Sequence, residues 1–284
     1  MNGIDYTEPQ VYLLQISGLG TSEFAARTAY DSFEQSENDA VKEINKSIEN
    51  NSLCEIEKFN LNHIEHSDLL ESLAWVHHHH SVIEHCNLTY LVKGTSRSVL
   101  QEHARHRIQS ITVRSTRYTM NDLLYIFVAE KEHNLNNTYP SSWFFYKILE
   151  LDMFVTIDQD YNKLQALDIF NKLTYQYNRL GRDEFLKLCL VKDSILAIGN
   201  KPSKDIILNI FHKGKKKRNA GDAFKHIVND NWKVDMVVTF NLRSLKNYFT
   251  LRDSGAAYFQ IQWLAKAMKE ATPKKYLELI VKSN

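Results

Sequence analysis

The sequence predicts an α+β fold in which helices pack on a mostly antiparallel sheet. Segments with strand patterns and segments with helix patterns follow one another without the regular βαβ rhythm of a parallel, doubly wound sheet. The composition, with 43% hydrophobic and 24% charged residues among 284, is close to that of an average globular protein. Neither a G-x-G-x-x-G helix start nor a G-x-x-x-x-G-K-[ST] loop occurs, so a Rossmann or P-loop nucleotide site is not supported.

Four segments predict strands, because they are short and rich in β-branched, aromatic or aliphatic residues. They cover residues 10–17, 86–92 and 234–240, together with a strand and loop region at 108–118. We expect Gly18 and Gly20 to end the first strand and Gly94 to end the second, because glycine favours turns.

Helices are predicted where apolar residues recur at helical spacing or follow a capping residue. The helical segments begin at Ser22 and continue with residues 38–50, 67–76, 95–104, most of 141–200, 242–250 and 256–271. A lysine-rich loop at 212–218 follows the long helical region. That loop is compatible with a solvated surface, an electrostatic funnel for an anionic ligand or a nucleic-acid contact.

The sequence also indicates the compartment. The longest apolar run, Leu123 to Ala129, is too short to cross a bilayer, and the N-terminus lacks the pattern of a secretory signal. Three scattered cysteines provide neither a disulfide framework nor a Cys-x-x-Cys metal site. We therefore expect a reduced, cytoplasmic protein without a membrane segment.

Arginine and lysine are concentrated in two short segments, although the net charge of the chain is only +1. Residues 93–118 contain six basic residues and one acid, and residues 241–252 contain three basic residues and no acid. This distribution favours the binding of small anions at both segments, with a solvated basic face as the alternative.

The first of these segments contains Arg105-His106-Arg107, followed after seven residues by Ser115-Thr116-Arg117-Tyr118. Guanidinium groups present planar forks of donors that suit a phosphate, a carboxylate or the polar edge of a pyrimidine or flavin ring. Because the arginines outnumber the single nearby acid, Glu102, they are expected to face solvent, acids from elsewhere in the chain, or a ligand.

The second segment contains Asn241, Arg243, Asn247 and Arg252. Arg243 and Asn247 are four residues apart and share a helix face, while Asn241 suits the N-cap. Such a surface can bind the edge of a heterocycle and a nearby phosphate. An ordinary exposed polar face with a capping residue is the alternative.

Taken in chain order, three motifs resemble those of the flavin-dependent thymidylate synthases. They are His79-x-Ser81…Glu84-His85, the RHR-x7-S signature from Arg105 to Ser115 with Arg117-Tyr118, and Asn241-x-Arg243-Ser244-Leu245-x-Asn247…Leu251-Arg252. The resemblance is dense over about 75–120 and 220–270 and fades through 130–215. It implies a single catalytic domain over residues 1–284, in which about 130–215 form a helical extension with a basic loop.

The resemblance implies a specific reaction. Members of the family transfer the methylene group of methylenetetrahydrofolate to dUMP and form dTMP, with reduced FAD as hydride source and NADPH as the reductant of the flavin. It also implies a homotetramer with active sites shared between subunits, and no nucleic-acid or membrane partner.

Residue roles follow from the resemblance position by position. The expected FAD contacts are His79, Ser81, Arg105, His106, Arg107, Asn241, Arg243 and Asn247. The expected dUMP contacts are Glu102, Arg105, Ser115, Thr116, Arg117, Lys225 and Arg252. Arg252 is the expected catalytic residue, because a fixed cation can stabilise negative charge on the N3–C4–O4 edge of uracil.

Three positions depart from the family pattern. Glu102 stands where members commonly have a glutamine that contacts dUMP, and a carboxylate there is expected to pair with an arginine or touch the base or sugar. Thr112 and Val113 stand where asparagine and glutamate are common. The departures at Glu102 and Val113 leave open an inactive family member that serves as a binding or structural subunit.

Other chemistries are less well supported by the residues. No cysteine lies in either arginine segment, and Cys86 is interpreted as a core residue rather than a nucleophile. Ser115 has no evident base partner and is assigned to substrate contact. The run His77 to His80 lacks a third ligand at helical spacing, so no metal is expected. A nucleic-acid-binding protein remains the rival class, and it would bind phosphates with steep salt dependence and without flavin.

Overall fold

The computed structural model of the protein describes residues 5–50, 61, 64, 66–189, 191–198, 203–213 and 218–282. The chain forms two compact units. The first consists of Met1–Thr7, Ser96–Ser98 and Arg114–Lys233, and the second of Glu8–Thr95, Val99–Val113 and Val234–Asn284.

A four-stranded sheet organises the second unit. Its strands are β1 (Gln10–Ile16), β2 (Asn87–Ser96), β3 (Ser110–Val113) and β4 (Lys233–Asn241), in the spatial order β1-β2-β4-β3. β1 pairs antiparallel with β2, and β3 pairs antiparallel with β4. The predicted α+β class with an antiparallel sheet is therefore confirmed.

Helices cover one face of this sheet. The helices of the second unit are α1 (Gly20–Tyr30), α2 (Asp39–Glu49), α3 (Asp68–Trp75), most of α4 (Arg97–His103), α12 (Leu242–Arg252), α13 (Phe259–Ala271) and α14 (Lys274–Ile280). Alternate residues of the central strands, such as Tyr90 on β2 and Val238 on β4, are fully buried, as the two-residue period of a strand requires. They pack in one apolar cluster with Leu245 of α12 and Leu264 of α13.

The first unit is helical. It contains α5 (Thr116–His133), α6 (Ser142–Glu150), α7 (Gln159–Leu180), α8 (Arg182–Leu188), α9 (Lys192–Leu196), α10 (Lys204–Lys213) and α11 (Arg218–Ala223). The apolar run Leu123 to Ala129 lies in α5 and is buried throughout. Phe127 of α5 contacts Phe170 of α7 and Phe185 of α8 at ring-centroid distances of 5.5 and 5.6 Å. No helix among the described residues is long and apolar enough to cross a membrane.

Two predictions about element boundaries were wrong. β2 continues through Gly94 to Ser96, although Gly94 takes a φ of 75°. The backbone N–H of Gly94 donates to Asp235 Oδ1 at 3.1 Å, and this bond keeps the residue in the sheet. In the region predicted as strand and loop, the strand is only Ser110–Val113, and Thr116 already begins α5. Thr116, Met120, Leu123 and Leu124 are buried at helical spacing, so packing of one helix face favours a helix that begins here.

The first glycine pair also acts differently from the prediction. Gly20 is the first residue of α1 rather than only a strand terminator. A Cβ at this position would lie 2.4 Å from the carbonyl oxygen of Leu61, so only glycine allows this close backbone approach.

Candidate functional site

The RHR motif follows directly after α4 in the second unit. The backbone N–H of Arg105 donates to Glu102 O at 3.2 Å, and that of His106 donates to His103 O at 3.1 Å. These turn-like bonds end the helix and direct the chain away from it. As a result Arg105 and Arg107 are exposed, whereas His106 is half-buried.

The Asn-Arg-Asn motif begins α12. Asn241 is the N-cap, as predicted, and its side-chain oxygen accepts a hydrogen bond from Ser244 N at 2.8 Å. Arg243 and Asn247 follow on the exposed surface of the helix. The guanidinium of Arg243 forms an ion pair with Glu84, a residue of the histidine-containing first motif.

Arg252, the last residue of α12, joins the two motifs. Its Nε donates to His106 Nε2 at 2.9 Å, and its Nη1 donates to Glu102 Oε2 at 2.8 Å. Nη2 makes a longer contact of 3.4 Å with the backbone oxygen of Glu102. The side chain of Arg252 is only 19% exposed, so these bonds fix the direction of its guanidinium group.

His106 is an acceptor in this arrangement. Burial and the adjacent Arg252 cation lower the pKa of His106 from 6.5 to about 4. The imidazole is therefore neutral near pH 7, and the hydrogen bond from Arg252 to Nε2 assigns its proton to Nδ1.

Two buried residues, Tyr248 and His103, pack next to His106. The ring of Tyr248 lies edge-on to His106 with centroids 4.8 Å apart, and its hydroxyl lies 3.0 Å from Nδ1 of His103. His103 is fully buried, which lowers its pKa to about 3, and burial raises the pKa of Tyr248. Both groups are thus neutral near pH 7 and act as a fixed, uncharged support.

Sequence reasoning missed His103 and Tyr248. Tyr248 stands four residues before Arg252, so helical spacing could have placed it next to that arginine. His103 carries no comparable signal, because its partner is 145 residues away in the chain.

A cavity of about 800 Å³ opens among these residues of the second unit. It is lined by His80, Glu84, Arg105, His106, Arg107, Ile108, Arg243, Ser244, Lys246, Asn247, Thr250, Leu251 and Arg252. The structure thus brings six of the predicted site residues to one wall, namely Arg105, His106, Arg107, Arg243, Asn247 and Arg252.

The cavity has an excess of positive charge. Five cationic side chains line it, and Glu84 and Glu102 pair with two of them, Arg243 and Arg252. Among the described residues, Arg105 and Arg107 have no side-chain hydrogen bond or ion pair. The arrangement can therefore bind an anionic ligand with a polar ring edge.

The remaining predicted site residues lie elsewhere. His79 does not line the cavity, and its Nδ1 is hydrogen-bonded to the hydroxyl of Tyr30, with the two rings stacked at 6.2 Å between centroids. Ser81 is exposed, next to the short helical turn Val82–His85. No group of His, Cys, Asp or Glu in the described part of the chain is arranged to hold a metal ion.

Four predicted dUMP contacts belong to the first unit. Ser115 is at the N-cap position of α5, Thr116 is buried, and Lys225 is exposed in the short turn Lys225–Ile227. Arg117 Nε forms an ion pair with Asp222 Oδ1 at 2.6 Å. The neighbouring Gly221 permits this approach, because a Cβ there would lie 2.1 Å from the carbonyl oxygen of Arg117.

Cys86 is a core residue, as interpreted from the sequence. Its side chain is fully buried, and burial raises the pKa of the thiol to about 12. The thiolate required of a nucleophile is therefore not formed near pH 7.

Comparisons with known proteins agree with the motifs. Residues 16–276 match a protein family described as "Thymidylate synthase complementing protein". A flavin-dependent thymidylate synthase of Wolinella succinogenes is 26% identical over 266 residues, which are 94% of this chain and 94% of that protein. One from Helicobacter pylori strain J99 is 28% identical over 211 residues, 74% of this chain and 78% of that protein.

A solved structure has the same fold. The crystal structure of thymidylate synthase X from Helicobacter pylori with FAD and dUMP matches with a TM-score of 0.55 and 23% identity. The match covers 96% of this chain and 97% of that chain.

Proposed function

This chain belongs to the thymidylate synthase complementing protein family, the flavin-dependent thymidylate synthases. We propose that the cavity lined by Arg252 is the site where dUMP is converted to dTMP. In this proposal, the methylene group of methylenetetrahydrofolate is transferred to C5 of dUMP and reduced, and dTMP is released. FAD is the bound cofactor, and NADPH is the reductant. The observation that carries the proposal is the Arg252 guanidinium, fixed by Glu102 and His106 in the cavity wall.

The residues of the cavity fit FAD. Its volume lies within the roughly 300–1,000 Å³ of small-molecule and cofactor sites. Arg105 and Arg107 offer guanidinium donors without competing acids, which suits a diphosphate. Asn247 offers both a donor and an acceptor for the edge of a flavin ring. A bound reduced flavin supplies the hydride, while the protein binds and orients the reactants.

The other cofactor contacts follow from the motifs. Arg243 would bind FAD while its charge is balanced by Glu84. His106 would present a neutral ring to the ligand, since Arg252 occupies its Nε2. The roles of His79, Ser81 and Asn241 as further FAD contacts stay predictions.

Arg252 would act on the uracil ring. Methylation at C5 needs a ring with raised electron density, and negative charge then develops along N3, C4 and O4. A guanidinium that is already held in place stabilises this charge without reorganising during the reaction. Arg252 meets this requirement, because both Glu102 and His106 restrict it before substrate binds.

Glu102 would assist by holding Arg252. Its carboxylate forms the ion pair that the sequence offered as one alternative, so it need not repel the phosphate of dUMP. Arg105 is the predicted second cation for dUMP in the same unit. Ser115, Thr116, Arg117 and Lys225 of the first unit stay predicted dUMP contacts.

The assembly and cellular location are also part of the proposal. We expect a cytoplasmic homotetramer with active sites shared between subunits, in which residues 1–284 serve as one catalytic domain with 130–215 as its extension. Light scattering after size-exclusion chromatography tests the assembly. A mass four times that of the chain, which is 33.2 kDa, is the expected result, and a monomeric mass would contradict it.

The activity is tested by dTMP formation with purified protein, dUMP, methylenetetrahydrofolate, NADPH and FAD. We expect product only when all four small molecules are present. Absence of product and of a flavin absorbance change on addition of dUMP would overturn the proposal. If the protein instead bound an oligonucleotide with strong salt dependence, that result would support a nucleic-acid-binding protein.

A further inference from the structure

Lys246 and His80 line the cavity but have no role in the reaction described above. Lys246 is on α12, next to Asn247, and its ammonium lies 3.1 Å from His80 Nε2. The same ammonium lies 3.9 Å from the centre of the Trp75 ring. Trp75 is itself anchored, because its indole N–H donates to Glu278 O at 2.7 Å. The cation is therefore held at one place in the cavity wall.

The hydrogen bonding of Lys246 is incomplete. An ammonium group has three donors, and the Trp75 face offers only a cation–π contact. His80 Nε2 also lies 3.0 Å from Ala74 O. A neutral imidazole nitrogen can donate to Ala74 or accept from Lys246, but it cannot do both. At least two donors of Lys246 are thus available to a ligand in the cavity.

The surrounding charges are positive. Burial and the nearby Lys282 lower the pKa of Lys246. Burial also lowers the pKa of His80; the Ala74 hydrogen bond opposes this, and Lys246, His78 and Arg243 add to it. In the described part of the chain, no carboxylate contributes to the shift of the Lys246 pKa. This contrasts with Arg243 and Arg252, each of which is paired with a glutamate.

A partly buried cation without an acidic partner is stabilised when an anion binds next to it. Lysine is a compact point charge and a common phosphate ligand, whereas arginine binds through a planar fork. The cavity therefore contains two kinds of anion donor: the arginines of the RHR motif and the separate Lys246–His80 pair.

We propose that Lys246, supported by His80 and Trp75, forms a second phosphate subsite in this cavity. It takes a phosphate group of a nucleotide that occupies the cavity, and in this respect it rests on the proposed function. Two nucleotides of the proposed reaction provide such a phosphate group: FAD through its diphosphate and NADPH through its 2′-phosphate.

The test compares Lys246→Met with the unchanged protein in four binding titrations. FAD and riboflavin are followed by flavin fluorescence, and NADP⁺ and NAD⁺ by titration calorimetry. Methionine keeps an unbranched stem against Trp75 and removes only the charge. Lys246→Arg retains a cation, and Lys266→Met removes an equal charge from an exposed position on α13 outside the cavity.

We expect Lys246→Met to weaken the binding of one phosphate-bearing ligand about tenfold or more, which is the loss of one charge-assisted hydrogen bond. If FAD weakens and riboflavin does not, the subsite takes the flavin diphosphate. If NADP⁺ weakens and NAD⁺ does not, it takes the 2′-phosphate. Lys246→Arg should recover most of the affinity, and Lys266→Met should leave all four dissociation constants unchanged.

The subsite would be overturned by FAD and NADP⁺ affinities that stay within twofold in Lys246→Met. Equal losses for FAD and riboflavin, and for NADP⁺ and NAD⁺, would also overturn it, because the phosphate would then play no part. Binding is measured without turnover. A protein that binds these nucleotides through Lys246 but forms no dTMP would therefore disprove the proposed reaction and leave the subsite standing.

Discussion

Arg252 donates through Nη1 to Oε2 of Glu102 at 2.8 Å, and this ion pair links the end of α12 to α4. The two residues are 150 positions apart in the chain. The side chain of Arg252 is 19% exposed and that of Glu102 is 36% exposed, so water screens the pair only in part. The guanidinium of Arg252, which we propose to act on the uracil ring, is therefore held in place by the protein itself.

Glu102→Ala is expected to lower kcat for dTMP formation about tenfold, because Arg252 loses one of the two side-chain acceptors that orient it. Glu102→Gln should recover most of that loss, since its amide oxygen can accept the same hydrogen bond. Steady-state kinetics with varied dUMP separates kcat from KM. Wild-type kcat in Glu102→Ala would contradict the positioning role, and flavin absorbance serves as the control for an intact cofactor site.

Most of the fold and part of the candidate site could be predicted from the sequence. Periodicity placed four strands and most of the helices, because alternation and helical spacing are local properties, but it predicted neither α5 nor α14. The prediction at Gly94 was wrong, because the backbone N–H of Gly94 donates a hydrogen bond to Asp235 on β4, and this bond keeps the glycine within β2. A side chain on another strand cannot be read from a local turn signal.

The sequence motifs identified residues that line the cavity, but their spacing could not show which charged side chains form ion pairs. The acid partners of Arg243 and Arg252, Glu84 and Glu102, are 159 and 150 residues away. The same limit applies to Trp75, whose contact with Lys246 exists only because α3 and α12 belong to one packed unit. Such pairs depend on tertiary packing rather than on local pattern.

The stability of the protein is expected to fall as the pH drops below about 6.5. His103 has its pKa lowered to about 3 by burial, and His106 to about 4. Between these values and the ordinary 6.5, the unfolded chain binds protons that the native protein does not. The contribution of these neutral histidines is therefore complete above 6.5 and is lost as the pH falls, until the native groups themselves take up protons.

For His103 the expected loss is about 1.4 kcal/mol per pH unit in that range. Urea unfolding at about pH 7 and about pH 5 measures it, with His103→Gln as the comparison. Because glutamine does not titrate, the pH dependence should be smaller in the variant. Identical pH dependence in both proteins would show that His103 is protonated in the native state.

Glu130→Ala is expected to destabilise the protein by about 3–5 kcal/mol, because it breaks a buried ion pair. Glu130 is fully buried, and its carboxylate accepts from Lys204 Nζ at 2.7 Å and from Ser141 N at 2.8 Å. Burial alone would raise the pKa of Glu130, but these hydrogen bonds outweigh burial and lower it.

Thermal and urea unfolding measure the effect of Glu130→Ala. Asp168→Ala is the matched control, because it removes a carboxylate that pairs with Lys172 on the exposed face of α7. That variant should change the free energy of unfolding by less than about 1 kcal/mol. Equal losses in the two variants would contradict a special role for the buried pair.

The central claim is that Arg252 stabilises negative charge on the uracil ring, and Arg252→Ala tests it most directly. The measurement is the rate of dTMP formation by the purified variant, with bound FAD recorded by its absorbance in the same sample. We predict retained flavin and a rate about 10²–10³-fold lower, the size of effect seen when one preorganised electrostatic group is removed. A variant that keeps its flavin and turns over dUMP at close to the wild-type rate would contradict the account.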